Sequence, residues 1–189
     1  MPPKSPILFL YFLLAFSLST FAAGNKHKAQ KVQLKGFHNL YKLNDSIYRS
    51  EQPDKSGMIE LQQRGIITVL NLRDWHTDRF EAKATSLILA AVPIQTSKIA
   101  YADILKSLAV IQHARKPILI HCWHGSDRTG CIVAAYRMVF ENWTKEEAIS
   151  ELKEKDYGYH ATMFPNILTL LNSLDVAALQ RDLGINVKY

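Results

Sequence analysis

A cysteine and an arginine, with five residues between them, lie in the stretch 118–130 at a spacing suited to phosphate chemistry. Apolar residues typical of a strand lead into Cys122, and a tight loop then opens a helix that we expect to begin near Ile132. Loop amides and the positive end of the helix dipole bind anions, and they also favour a nucleophilic thiolate at Cys122. The planar guanidinium of Arg128 would hold two phosphoryl oxygens and stabilise the charge that develops during displacement.

The remaining residues of this loop are candidates for contact with a substrate. Gly125 lets the loop turn tightly, and the Thr129 hydroxyl can donate a hydrogen bond to the thiolate. The side chains of Trp123 and His124 should face the rim, where they either contact substrate or only cover the loop. Downstream, the Tyr-Gly-Tyr-His stretch at 157–160 predicts either an aromatic rim near this site or core packing. The predicted substrate-binding residues are Trp123, His124, Gly125, Ser126, Thr129 and Gly130.

The motif at 121–130, which reads His-Cys, five residues, then Arg-Thr-Gly, resembles the signature of cysteine-dependent protein tyrosine and dual-specificity phosphatases. The resemblance extends over about residues 37–174 and is strongest to the small exported bacterial enzymes of the dual-specificity type. Three further stretches support it, at 43–53, 69–73 and 136–154.

The resemblance implies both a fold and a mechanism. The fold is an α/β domain in which a central, mostly parallel sheet is flanked by helices on both faces, as in the dual-specificity subtype of the protein tyrosine phosphatases. In the mechanism, Cys122 attacks phosphorus to form a phosphocysteine, an acid protonates the leaving oxygen, and water hydrolyses the intermediate. We expect neither a metal nor another cofactor, and we expect His121 to be structural.

The general acid departs from the family pattern. Family members usually supply an aspartate from the loop that corresponds to 93–101, and here this loop has no carboxylate. Asp103 falls where a helix should already have begun, so it is expected to cap that helix or face solvent. Asp127 is the favoured acid, because phosphoinositide phosphatases of the myotubularin type resemble this chain in having an aspartate there. Its alternative role is to orient the neighbouring arginine, and Asp74 and Asp78 remain outside possibilities.

Apolar periodicity and cap residues predict the elements that must position this loop. Strands and helices alternate along the chain, which favours a mostly parallel sheet. A turn and a short strand are predicted at 45–50, and further strands at 66–72, 91–94 and 118–120. The predicted helices lie at 55–63, 78–89, 101–113 and 145–154, with capping-box spacing at Asp78 and Glu81 and at Thr144 and Glu147.

Composition fits one globular domain. The chain has 189 residues, of which 48% are hydrophobic and 21% charged. Its net charge of +6 suggests an anionic ligand, but no dense basic run occurs, so we do not expect nucleic acid as a partner. Two cysteines are too few for a disulfide framework. Cys131 is predicted to be a small buried residue, with a reversible disulfide to Cys122 as the alternative.

The amino terminus has the pattern of a secretory signal. Lys4 precedes an apolar run from Ile7 to Phe16, and small residues follow it up to Gly24. We therefore predict a signal peptide over 1–23, a flexible basic tether over 24–36 and a phosphatase domain over 37–189. The protein is expected to be exported, periplasmic or secreted, without stable membrane insertion after cleavage; the alternative is an uncleaved anchor.

Three functional hypotheses remain open from the sequence. The leading one is a phosphomonoester hydrolase of the protein tyrosine or dual-specificity type, with phosphotyrosine-containing proteins or other phosphomonoesters as substrates. The second is a phosphoinositide or inositol phosphate phosphatase, although the loop lacks the lysines that often hold extra phosphates. The third is a catalytically weak phosphate-binding module, since the usual loop aspartate is absent.

Overall fold

The computed structural model describes residues 27–185, which form a six-stranded sheet. The strand order is β1-β2-β3-β6-β4-β5; the first two pairings are antiparallel and the other three are parallel. The central, mostly parallel sheet predicted above is therefore confirmed. The strands are β1 Gln30–Lys31, β2 Tyr41–Lys42, β3 Ile47–Ser50, β4 Thr68–Arg73, β5 Ile88–Ile94 and β6 Ile118–His121.

Helices cover both faces of the sheet. The helix α1 packs on one face, where Met58 and Leu61 contact the buried side chains of Val69 and Leu119. The other helices enclose a larger core on the opposite face, with α3 at its centre. The helices are α1 Lys55–Gln63, α2 Tyr101–His113, α3 Asp127–Phe140, α4 Lys145–Leu152, α5 Pro165–Ser173 and α6 Val176–Asp182, and two short 3-10 turns lie at Thr96–Lys98 and Lys155–Tyr157.

Helix caps account for the boundaries that the sequence predicts well. The Asp54 side chain accepts a hydrogen bond of 2.7 Å from the backbone of Gly57 and begins α1. This helix ends before Gly65, whose φ of +86° suits a residue without a side chain. Thr144 and Glu147 form the predicted capping box of α4.

The helix predicted over 78–89 is wrong. Residues 78–84 form successive turns, and β5 begins at Ile88. A capping box requires the first side chain to bond its own helix, but the Asp78 carboxylate points inward and accepts from other elements. The apolar run that follows then pairs in parallel with β4.

The start of α3 also differs from the prediction. The helix begins at Asp127 rather than near Ile132, so Arg128 and Thr129 lie in its first turn. The loop after β6 is consequently shorter, and α3 follows it without a further connection. Because the first amides of a helix have no partners within the helix, this early start directs them at the loop.

The predicted tether contributes to the fold over the part that the structure describes. Strand β1 pairs with β2, and Leu34 lies in the smaller core at 9% exposure. Val32 also packs on that core, so two apolar residues alternate with polar ones in a segment that is polar overall. The predicted signal peptide lies outside the described residues. Among residues 27–185, no helix is long and apolar enough to cross a membrane.

A buried ion pair joins α3 to α4. The guanidinium of Arg137 donates from Nε and Nη2 to the two carboxylate oxygens of Glu151, at 2.8 and 2.7 Å. Both side chains are almost fully buried, and Arg137 also stacks on the ring of Trp143. Glu151 further accepts the backbone N–H of Ala29, which fastens the amino-terminal segment to the same pair.

Removal of this carboxylate should destabilise the protein strongly. We expect Glu151→Ala to lower the free energy of unfolding by about 3 kcal/mol, because Nε and Nη2 of the buried Arg137 lose their acceptors and only the contact of Nη1 with Glu141 remains. The exposed Glu146 of the same helix is the matched control, and Glu146→Ala should change the value by less than about 0.5 kcal/mol. Urea denaturation checks both; equal midpoints for the two variants would contradict the assigned role of the pair.

Candidate active site

The predicted phosphate loop lies at the carboxyl end of β6, in the middle of the parallel part of the sheet. This strand runs between β3 and β4, and Cys122 follows it directly at 2% exposure. Ligands of open α/β sheets bind at this edge, where strands end and helices begin. The loop 122–126 joins β6 directly to the first turn of α3, the strand–loop–helix arrangement whose free backbone amides bind anions.

Gly125 packs the loop against the end of β3. Its φ is +73°, and a Cβ atom there would lie 2.5 Å from the carbonyl carbon of Ser50. The buried guanidinium of Arg49 donates from Nη2 to the Gly125 carbonyl at 2.6 Å and stacks on the ring of Tyr157. Arg49 therefore supports the loop from within the fold.

The Arg128 side chain extends from the first turn of α3 to the ends of β4 and β5, on the side of the loop that we call its mouth. Its Nη1 donates to a carboxylate oxygen of Asp74, at 3.0 Å, and to the backbone carbonyl of Ile94, at 3.2 Å. The side chain of Arg128 is 14% exposed, and that of Asp74 is 29% exposed. The guanidinium is thus already oriented at the mouth, and a phosphate would compete with one carboxylate for it.

Asp78 and His121 form a buried pair beneath the loop. His121 Nε2 lies 2.9 Å from Asp78 Oδ2, and Gln52 and Asn71 donate their side-chain amides to the other oxygen. Burial acts to raise the pKa of the Asp78 carboxyl, but the hydrogen bonds and charge of His121 outweigh it, so this pKa lies below its usual value. The pair holds His121, the residue directly before Cys122, in place beneath the loop.

Asp127, the favoured acid, is bonded to a residue from a distant segment. Its carboxylate oxygens accept from the backbone N–H of His160 and face the Nδ1 of the same histidine, each at 2.9 Å. The Asp127 side chain is only 9% exposed, whereas that of His160 is 44% exposed. The contact to Arg128 considered from the sequence is replaced by this contact to His160.

The other carboxylate candidates separate by position. Asp103 accepts the backbone N–H of Ala100 at 2.9 Å and caps α2, as predicted. Asp78 lies beneath the loop, and Asp74 contacts Arg128. Of the four candidates, Asp127 and Asp74 therefore lie next to Arg128, the first as its neighbour at the start of α3 and the second through their hydrogen bond.

The rim carries aromatic and cationic side chains together. Trp123 is 53% exposed, and the guanidinium of Arg73 lies 4.1 Å from its ring centroid. A cleft of about 500 Å³ opens beside them, lined in part by Gln52, Lys55 and Phe80. Burial, together with the positive charge of Arg128, lowers the pKa of Arg73. Two guanidinium groups therefore act on one side of the loop.

The remaining loop residues are mostly buried. Ser126 is 3% exposed, and Thr129 is fully buried with its hydroxyl oxygen unpaired among the described residues, consistent with a group reserved for the thiolate. A Cβ atom at Gly130 would meet the side chain of Leu152 at 2.4 Å, so this glycine permits close packing of α3 on α4.

Burial raises the pKa of Cys131 to about 12, which fits the predicted core residue, and both cysteines are free.

One cluster near the loop has groups that could hold a metal ion. Donor atoms of His76, Asp78 and Glu81 all lie within 4.8 Å of one another. Both oxygens of Asp78 already accept hydrogen bonds, however, from Gln52, Asn71 and His121. Asp78 therefore serves to support the loop through His121, rather than being free to bind a metal ion.

Sequence reasoning missed two contributors to the site. Asn39 donates its side-chain amide to the carbonyls of His124 and Tyr157, at 2.8 and 3.3 Å, and so joins the loop to the 157–160 segment. The role of His160 beside Asp127 was missed as well, although the stretch that contains it was singled out as a possible rim. Periodicity gives no signal for either contact, because each joins segments more than 30 residues apart.

Substitution of Gly125 should prevent the loop from closing. We expect Gly125→Ala to abolish binding of orthovanadate, because the new methyl group would overlap the backbone at Ser50. Gly65→Ala is the matched control, since its φ is also positive but nothing lies within 4 Å of the added atom. The control should lose about 1 kcal/mol of stability and keep vanadate affinity, measured by calorimetry. Equal effects of the two substitutions on vanadate binding would contradict the close approach.

The depressed pKa of Asp78 predicts a pH-dependent contribution to stability. A carboxylate with a lowered folded-state pKa stabilises fully above its unfolded value of about 3.9, and this stabilisation declines as the pH falls through the folded value. We expect Asp78→Asn to cost about 2 kcal/mol at pH 6, because the ring nitrogen of His121 loses its carboxylate partner, and clearly less at pH 3. Denaturant unfolding at both values checks this, with exposed Asp156→Asn as a control that should differ little from the wild type at either pH. A cost that is the same at both pH values would contradict it.

Comparison with known proteins agrees with this geometry. The family model for the dual specificity phosphatase catalytic domain matches residues 47–169. The dual specificity protein phosphatase TpbA of Pseudomonas aeruginosa is 29% identical over 168 residues, which cover 82% of this chain and 76% of that protein. The crystal structure of a TpbA variant in complex with phosphotyrosine aligns with a TM-score of 0.75 at 26% identity, over 84% of this chain and 97% of that one. The inositol diphosphatase DSP5 of Arabidopsis thaliana is 29% identical over 131 residues, 61% of each chain.

The match to the family model extends over well more than half of the chain, and it contains the loop, the strands on either side of it and most of the helices described above. The family, the fold and the enzyme class predicted from the sequence are thereby confirmed. This chain belongs to the dual specificity phosphatase family and is a hydrolase of phosphomonoesters.

Proposed function

We propose that this enzyme removes phosphate from phosphotyrosine in proteins by way of a phosphocysteine at Cys122. The observation that carries the proposal is the position of Cys122 at the start of the loop after β6 and of Arg128 in the first turn of the helix that follows this loop. The relative TpbA has been crystallised in complex with phosphotyrosine, which supports an aryl phosphate as the ligand.

The chemistry follows from the positions of these groups. The Cys122 sulfur attacks phosphorus, the bond from phosphorus to the ester oxygen breaks, and the leaving oxygen takes a proton. Arg128 exchanges its Asp74 contact for two phosphoryl oxygens, which stabilises the charge that develops in the transition state. Water then attacks the phosphocysteine, the bond from sulfur to phosphorus breaks, and inorganic phosphate leaves with the thiolate restored.

The rim favours an aromatic leaving group. Trp123 presents an exposed indole beside the loop, and a phosphotyrosine ring could stack on it or on its edge. The side chain of Arg73 covers one face of this indole and adds a positive charge near the phosphate. Serine and threonine phosphates lack a ring for this contact, so they should be weaker substrates.

A second candidate function is the hydrolysis of inositol phosphates or phosphoinositides. The specific observation in its favour is the second guanidinium, Arg73, close enough to Arg128 for each charge to act on the other. Such a pair suits a ligand with more than one phosphate. The relative DSP5 is an inositol diphosphatase by name, which also supports this candidate.

One comparison tests these candidates together. The purified protein is given a phosphotyrosine peptide, a phosphoserine peptide and a soluble monophosphoinositide, with reductant, and phosphate release is measured. Preference for the phosphotyrosine peptide by at least tenfold in kcat/KM is the expected result. Preference for the inositol substrate would replace the proposal with the second candidate, and tight binding without turnover would indicate the phosphate-binding module.

The nucleophile has its own test. We expect Cys122→Ser to lose all measurable turnover and to keep its affinity for phosphate ions, because the loop amides and Arg128 stay in place. Cys131→Ser is the matched control; its thiol is buried in the core away from the mouth, so turnover should persist. Turnover that survives Cys122→Ser would overturn the phosphocysteine mechanism.

We propose further that the enzyme acts after export from the cytoplasm. The support is the apolar run from Ile7 to Phe16 with Lys4 before it and small residues after it. The full chain expressed in a bacterium with two membranes should be found in the periplasm or medium, with a new amino terminus near Gly24. Retention of the unprocessed chain in the cytoplasm or membrane would contradict the proposal.

A further inference from the structure

The site has a histidine that the mechanism above does not use. His160 lies at the end of the 157–160 segment, and its Nδ1 faces the carboxylate of Asp127 at 2.9 Å. Its backbone N–H is bound to the other oxygen of the same carboxylate at 2.9 Å. Asp127 is therefore occupied on both oxygens by one residue, and its side chain is 9% exposed.

The imidazole of His160 lies next to the loop, beside His124, and is partly open to solvent. With Nδ1 bound to a carboxylate, the ring has only Nε2 left for a proton exchanged with a ligand. The side chain is 44% exposed, and the ring lies 5.8 Å from the ring of His124, which belongs to the loop itself. A carboxylate behind an imidazole that has one open nitrogen is the arrangement that fixes a histidine for proton transfer.

The segment that carries this histidine is fixed to the loop by contacts of its own. Asn39 bridges the carbonyls of His124 and Tyr157, and a Cβ atom at Gly158 would lie 3.2 Å from the Ser126 hydroxyl. The backbone N–H of His160 adds the bond to Asp127. The position of the ring relative to the loop is therefore set before any substrate binds.

We propose that His160 is the proton donor of the reaction and that Asp127 is the residue that positions it. As the bond from sulfur to phosphorus forms and the ester bond breaks, the imidazolium gives its Nε2 proton to the leaving oxygen. The neutral imidazole then takes a proton from the attacking water as the phosphocysteine bond breaks, which restores the imidazolium. One water is consumed in each cycle, and the protonation state of the enzyme is unchanged.

This assignment rests on the proposed phosphatase mechanism and supplies the acid that the connection between β5 and α2 lacks. Residues 95–100 of that connection have no carboxylate. Asp74, the other acidic candidate next to the loop, is already paired with the guanidinium of Arg128. The pair of His160 and Asp127 is already formed next to the loop in this structure.

The test uses a series of aryl phosphates whose phenols differ in acidity. We expect His160→Ala to lower kcat by about 100-fold for the poor leaving groups and by only a few-fold for nitrophenyl phosphate, since a good leaving group needs no proton. Added imidazole should restore part of the lost rate. Asp127→Asn should show the same dependence on leaving group, and the double variant should be no slower than His160→Ala.

Two controls separate the possible failures. Exposed His113 on α2 is the matched control, and His113→Ala should behave as the wild type throughout the series. If nitrophenyl phosphate is hydrolysed by the wild type and not by Cys122→Ser, the phosphatase mechanism holds independently of the acid. A His160→Ala variant that then keeps the wild-type dependence on leaving group, or loses rate equally for every substrate without rescue by imidazole, would overturn the assignment.

Discussion

The close approach of the Gly125 backbone to the end of β3 is the constraint on which the site depends. The loop can curl around a phosphate only if its middle residue has no side chain and adopts a positive φ. Arg49 completes the contact from the other side, because its buried guanidinium bonds the Gly125 carbonyl. The loop between Cys122 and Arg128 is therefore held against β3 through this glycine.

Support for this loop comes from three separate parts of the chain. The buried pair of His121 and Asp78 holds its start, Asn39 holds its middle, and the pair of Asp127 and His160 holds its end. Each contact satisfies a polar group that would otherwise be costly to bury. Catalytic groups that are fixed in this way need little reorganisation when a substrate arrives.

The sequence predicted the centre of the site and most of the sheet. The strand before Cys122, the helices from Lys55 and from Tyr101, and the capping box of α4 all follow local signals that act within a few residues. The predicted helix over 78–89 failed because Asp78 has a capping pattern and a distant partner, and the distant partner prevails. The contact between Asp127 and His160 could not be predicted for the same reason, because two side chains that pair over 33 residues leave no periodic pattern in the sequence.

The ion pair of Arg128 with Asp74 makes the entrance selective for charge. A ligand that binds the guanidinium must displace a carboxylate that already holds it at 3.0 Å. Chloride and singly charged esters offer little more than that carboxylate does, whereas a doubly charged phosphoryl group offers two oxygens to the same planar fork. Common monovalent anions should therefore not displace Asp74 from the arginine. Phosphate esters would then still bind at high salt concentration.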